Sequence, residues 1–137
     1  MSVHLIKLCV GIDQIDELAA WQKKRLAKGQ RLEHWTRMTP KRADELLAGG
    51  SLYWVIKGRI QARQKLTALD QGVDGEGVPH CILVLDSKLV PVAPRPQRPF
   101  QGWRYLKTED APPDLNGAKN QDLPPELAAH LAELGLL

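Results

Sequence analysis

GGSLYWVIKGRIQARQKLTALD, Gly49 to Asp70, is the stretch on which the fold turns. Ser51 to Ile56 is rich in aromatic and β-branched residues, which suit a pleated, half-buried surface. Its alternation sets Leu52, Trp54 and Ile56 on one face and Tyr53 and Val55 on the other. Gly58 interrupts the run between two strands of unlike pattern, which predicts a bulge, a bend or a tight turn, with positive φ at that glycine. Beyond it Ile60, Ala62, Leu66 and Ala68 share one parity, and Arg59, Gln61, Arg63 and Lys65 share the other. The pair reads as the centre of a β-sheet with one core face and one cationic face.

Working outward, Val3 to Val10 is apolar on both faces apart from His4 and Lys7, and predicts a buried strand. A helix follows with Asp13 as N-cap, Ile15, Leu18, Ala19, Gln22 and Leu26 inward, cations in its last turns, and Gly29 as its C-terminal stop. Arg31 to Met38 alternates as a short strand. Thr39-Pro40 then predicts a capped helix start, with Ala43, Leu46 and Leu47 inward and Gly49-Gly50 as the stop. On the other side, Gln71 to Pro79 is a glycine-rich hairpin loop without Walker-type spacing. His80 to Asp86 is a nearly continuous apolar strand. Val90 to Pro99 carries four prolines, which confines it to a sheet edge or an extended segment. Phe100 to Lys107 returns to strand-forming residues. There the parity sets Trp103 and Tyr105 on one face, both expected in the core, and Arg104 on the other.

The expected fold is α+β: a mainly antiparallel, curled sheet or small barrel packed by two or three helices. Residues 1–108 form the domain, 109–123 an acidic linker, and 124–137 a C-terminal helix with Leu127, Leu131 and Leu134 packed back on the same domain.

Composition narrows the function classes. A chain of 137 residues, 43% hydrophobic and 26% charged, has the profile of an ordinary globular domain with a real core. It has no apolar run of the roughly 18 residues a membrane span needs, and its start lacks signal-peptide character. Cys9 and Cys81 both lie in apolar surroundings, which predicts free buried thiols in a reducing cytoplasm. Charge is uneven: residues 31–107 hold 13 Lys and Arg against 7 acids, and residues 108–137 hold one Lys against six acids. A cationic body points to an anionic partner. His4, His34, His80 and His130 are dispersed with no metal-ligand spacing, and no serine sits in a GxSxG elbow, so neither a metal nor another cofactor is expected.

Three segments, HLIKLCVG, TRMTPKRADELLAGGSLYWVIKG and RPFQGWRYL, resemble an uncharacterised bacterial family classed as a domain of unknown function. That resemblance implies no activity and no catalytic position. In shape, a short helix ending in Gly, then strands, then a late GWRYL strand resembles the PUA-like barrels with their ASCH and EVE relatives. Those domains mostly bind RNA or modified bases, an analogy of fold that does not fix function.

The residues singled out for binding are Arg37, Lys41, Arg42, Lys57, Arg59, Arg63, Arg98, Gln101 and Arg104, with Trp54, Trp103 and Tyr105 among them. Cations neutralise phosphates, and flat rings take unstacked bases, so the predicted partner is RNA or a nucleotide. Two other uses stay open. Thr36, Thr39, Lys41 and Glu45 resemble the lysine, threonine and carboxylate set of small amidohydrolases related to PUA-like barrels. The C-terminal leucines offer a protein-docking helix instead. Nothing in the chain specifies an oligomeric state.

Overall fold

The computed structural model describes residues 3–115. The chain runs β1 (Val3–Leu8), α1 (Ile15–Ala27), β2 (Leu32–Thr36), α2 (Ala43–Leu47), β3 (Ser51–Ile56), β4 (Arg59–Val73), β5 (Pro79–Leu85), β6 (Val90–Pro96) and β7 (Trp103–Lys107), then a short 3-10 turn at Thr108–Asp110. The seven strands form one mixed, unclosed sheet in the order β2-β5-β4-β3-β1-β7, with β6 on β4. Only the β1–β3 ladder is parallel; the others are antiparallel. This is an α+β fold. Among the described residues no helix is long and apolar enough to cross a membrane.

β3 is buried on both faces, so its alternation feeds two cores. Leu52, Trp54 and Ile56 join Val3, Leu5, Leu18, Leu46, Leu66 and Leu83 in the larger core, on the face that α1 covers. Tyr53 and Val55 join Ile6, Ile60, Val92 and Leu106 in a smaller core on the opposite face. The turn to β4 has positive φ at both central residues, 51° at Lys57 and 78° at Gly58, as a two-residue type I′ hairpin requires. Gly58 therefore has the conformation its position predicts.

β4 departs from simple alternation. Its register skips between Val55↔Ile60 and Trp54↔Ala62, which leaves Gln61 as a bulge residue, and a second skip between Leu66 and Ala68 leaves Thr67 as another. Each extra residue flips the parity of the residues after it. Ile60 thus belongs to the smaller core and Ala62 to the larger one. Arg59 sits opposite Ile56 and Arg63 opposite Tyr53, so these arginines lie on opposite faces. The continuous cationic face that parity predicts does not form.

The sheet curls strongly. His34 on β2 brings its ring centroid to 4.6 Å from that of Trp54 on β3, although β5 and β4 lie between those strands in the sheet. Past β2, the Met38 carbonyl accepts a 2.7 Å hydrogen bond from Trp103 Nε1 of β7, the strand at the other edge. No ladder closes the ring between β2 and β7.

The helix ends differ from expectation. Gln14, not Asp13, occupies the α1 cap position, and no side chain caps it. Thr39 does not cap α2. The Tyr105 hydroxyl takes that role by accepting the N–H groups of Lys41 and Arg42 at 3.0 and 3.2 Å. That reach, from a strand at the edge of the sheet, leaves Tyr105 37% exposed where burial was expected; Trp103 is buried at 7% as expected. Leu26 and Leu47, expected inward, are exposed, each at the last turn of its helix. Gly50 is a packing glycine: a Cβ there would stand 2.3 Å from the Val3 carbonyl and 2.5 Å from that of Leu46, so α2 can press its end onto β1 only without one.

After β7 the chain doubles back over the smaller core. Ala93 N–H bonds the Pro113 carbonyl at 2.8 Å, Leu115 N–H bonds the Pro91 carbonyl at 2.9 Å, and Asp114 forms a bidentate ion pair with Arg63. The first part of the expected linker is therefore held against the sheet. Residues 116–123 and the expected helix over 124–137 lie outside the described residues.

Candidate functional site

A recess of about 270 Å³ opens on the α1 side of the sheet, lined by Lys7, Leu8, Cys9, Val10, Ile12, Leu18, Trp21, His34 and Trp54. Local sequence explains which residues line it. The parity of β1 turns Lys7 to the same face as Val3 and Leu5, and helical spacing in α1 brings Trp21 one turn beyond Leu18. The curl then adds His34 and Trp54. His34 sits edge-on to Trp54 and 5.9 Å from Trp21, so three rings surround one space. The lining runs out to Val10, 86% exposed, so the recess opens where β1 leaves the sheet.

Trp54 is fixed from behind. Its Nε1 donates to Gln64 Oε1 at 2.9 Å, and Gln64 and Gln22 exchange amide hydrogen bonds at 2.7 and 2.9 Å. This buried network anchors the recess wall to α1 and β4.

The recess is mostly apolar, and no carboxylate among the described residues lines it. Burial pushes the Cys9 thiol up to about 11, which keeps it protonated at neutral pH. Burial, reinforced by the charges of Lys7 and Arg25, pushes His34 down to about 4, which keeps the ring neutral. Burial also lowers Lys7. His34 Nε2 has no hydrogen-bond partner among the described residues. Because an unfolded histidine titrates near 6.5, the unfolded chain binds the extra proton between that value and about 4. His34 stabilises the fold in full above about pH 6.5, and the contribution declines as pH falls toward 4. The loss should approach roughly 3 kcal/mol. Urea unfolding at about pH 7.5 and about pH 4.5 measures it, and His34→Gln should flatten the difference. His4, also lowered by burial and by Arg63, acts with the same sign and leaves a smaller residual slope. An unchanged pH difference in His34→Gln would mean that His34 is not the group responsible.

The cations singled out in the sequence fall into separate groups. Lys57, Arg59 and Arg98 gather around one turn: Arg59 pairs with Pro96, and Gln97 N–H bonds the Gly58 carbonyl at 2.9 Å. All three are exposed, and no ion pair among the described residues engages them. The Cys9 N–H bonds the Val55 carbonyl at 2.9 Å, so this turn caps the same end of the sheet at which the recess opens. Lys41 and Arg104 meet at a second, open groove of about 370 Å³ with Met38, Thr39, Trp103 and Tyr105. Arg42 lies over the Tyr105 ring at 5.4 Å and pairs with Glu45, and Arg104 lies over Phe100 at 5.3 Å. Gln101 is exposed just before Gly102. Arg37 is exposed past β2 and adds a minor share to holding the Asp74 carboxyl below its usual range, which the Val78 backbone N–H does chiefly. Arg63 is apart from all of these, gripped by Asp114 and by Ser51 Oγ at 3.0 Å. Of the amidohydrolase-like set, Thr39 and Lys41 line the second groove together, Thr36 donates to the Met38 carbonyl at 3.1 Å, and Glu45 is engaged by Arg42. Among the described residues no group of side chains could hold a metal ion.

A family model described as "Protein of unknown function (DUF1489)" matches residues 5–137. The chain belongs to that family. No curated protein and no solved structure matches it. The matched span takes in every ring of the recess and both cationic groups.

Sequence reading did not single out the recess. Trp21 sits among helix charges and His34 reads as one more isolated histidine; only the curl brings them to Trp54. Lys7 did carry a signal, as a lone cation on the inward parity of a buried strand.

Proposed function

We propose that the protein binds RNA or a nucleotide by taking one base into the Trp21–His34–Trp54 recess while Lys57, Arg59 and Arg98 hold the phosphates. The observation that carries this is the coincidence of three rings around an apolar space with cations at the same end of the sheet that no ion pair among the described residues engages. At about 270 Å³ the recess falls just below the roughly 300–1,000 Å³ of sites for larger small molecules, a size suited to a single flat ring. Stacking supplies affinity without reading sequence, and phosphate neutralisation supplies salt dependence. The strong curl, with Met38 past β2 meeting β7, favours the PUA-like reading of the shape. We also propose a cytoplasmic setting, which the two free buried cysteines support.

Quenching of tryptophan fluorescence by short single-stranded RNA at low salt tests the reading. Trp21→Ala, at a partly exposed position, should weaken binding by about 1–3 kcal/mol with little loss of stability. Replacing Lys57, Arg59 and Arg98 together by alanine should reduce the slope of log affinity against log salt by about 2. Absence of binding at low salt, or affinity that ignores both sets of changes, refutes the proposal.

A further inference from the structure

Lys7 is the one inward-facing lysine on the central strands, and its place needs a reason. Its register partners are Trp54 on β3 and Trp103 on β7, so its stem rises between two buried indoles. It lines the recess beside Leu8, Ile12, Leu18 and Trp21, and among the described residues no carboxylate lines that recess and no ion pair engages it. A cation in such a place is costly unless something compensates it, and packing alone would be served better by Leu or Met. The other titratable groups facing this region, Arg25 over Trp21, the neutral His34 ring and Cys9 as a protonated thiol, do not offset its charge. An amine whose charged form burial disfavours, held in a mostly apolar recess with open space in front of it, has the setting of a nucleophilic lysine.

We infer that Lys7 Nζ is a reactive amine that condenses with the carbonyl carbon of a flat aldehyde or ketone admitted to the recess. The neutral nitrogen's lone pair forms the C–N bond as the carbonyl π pair moves to oxygen, and one of the two N–H protons passes from nitrogen to that oxygen, giving a carbinolamine. Loss of the remaining N–H proton and departure of that oxygen as water leaves a C=N imine. No electron donor or acceptor is required, and one water is released for each imine formed. Trp21, Trp54 and His34 supply the flat walls that select a planar carbonyl compound over a branched one. Burial of the amine agrees with this use, since it lowers Lys7 below the ordinary lysine range. The inference rests on the recess being a ligand pocket and does not depend on the ligand being a nucleotide.

The test uses the full chain, benzaldehyde as the flat carbonyl probe, and cyanoborohydride to reduce any imine to a stable benzyl-lysine. At about pH 6.5–7, peptide mass spectrometry should find the benzyl adduct on Lys7 at least about tenfold in excess of any surface lysine, such as Lys23, Lys24 or Lys65. Lys7→Met should abolish that adduct and leave surface labelling unchanged. Should Lys7→Met fail to fold, the site distribution in the unmodified protein still decides. Excess RNA provides the link to the binding reading: protection of Lys7 by RNA joins both uses in one pocket. Selective labelling without protection keeps the reactive amine and counts against the base pocket. Labelling of surface lysines as fast as Lys7, or no adduct on Lys7, overturns the inference whatever RNA does.

Discussion

Alanine in place of Trp103 is expected to lower stability by about 3–5 kcal/mol, the range for truncating a large aromatic in a core. Trp103 is 7% exposed and belongs to the larger core, packed edge-on to Tyr105 with ring centroids 4.9 Å apart. Its indole N–H also makes the hydrogen bond that joins β7 to the segment after β2. The substitution would open a cavity and leave the Met38 carbonyl with the weaker 3.1 Å bond from the Thr36 hydroxyl. It would also loosen Tyr105, whose hydroxyl holds the N-terminus of α2. Trp103→Phe is the milder change: it keeps an aromatic ring in the core and loses the hydrogen bond and the outer part of the indole, so its cost should be about 1–3 kcal/mol, below that of alanine. Chemical unfolding of both variants decides. A Trp103→Ala protein within about 1 kcal/mol of the parent that no longer binds RNA would make Trp103 a stacking platform in the second groove, contrary to its core assignment.

The order of elements was legible because each rests on local chemistry. Gly49-Gly50 ends a helix, Lys57-Gly58 makes a two-residue turn, and the prolines of Val90–Pro96 keep β6 off the central path of the sheet. What parity could not reveal was set by two residues, Gln61 and Thr67. Neither has a side chain that announces a bulge, and each moves every later residue of β4 to the other face. Arg59 and Arg63 therefore look like neighbours in sequence pattern and are not neighbours in space. The candidate recess was hidden for a different reason: it depends on curl, a sum of small twists over several strands that no single window contains. Arg63 could not be recognised as structural because its partner, Asp114, is 51 residues away in a stretch that composition marks as a linker.

Gln64→Ala is expected to destabilise by about 3–5 kcal/mol, as much as a large aromatic truncation, although only an amide is removed. Gln64 is completely buried, and all four of its hydrogen-bonding positions are used. Oε1 accepts from Trp54 Nε1 and from Gln22 Nε2; Nε2 donates to Gln22 Oε1 and, at 3.1 Å, to the Asp86 carbonyl. Removing it leaves a donor on Trp54, a whole amide on Gln22 and a carbonyl on Asp86 without partners. A stranded buried group costs about 1–3 kcal/mol, but relaxation keeps the sum below simple addition. Replacing both glutamines with leucine should therefore cost less than the two single Leu variants added together, by about 1–3 kcal/mol, because each single change strands the other amide. Urea unfolding of the parent, both single variants and the double variant measures that coupling directly. Strict additivity would mean that water already serves these amides and that they do not anchor each other. The network also ties stability to binding. Gln64 holds the Trp54 ring at the back of the recess, so the double leucine variant should bind RNA more weakly than the parent even where its fold is intact. Parent-like binding in that variant would show that Trp54 needs no anchor, and that packing against His34 alone keeps its ring in place.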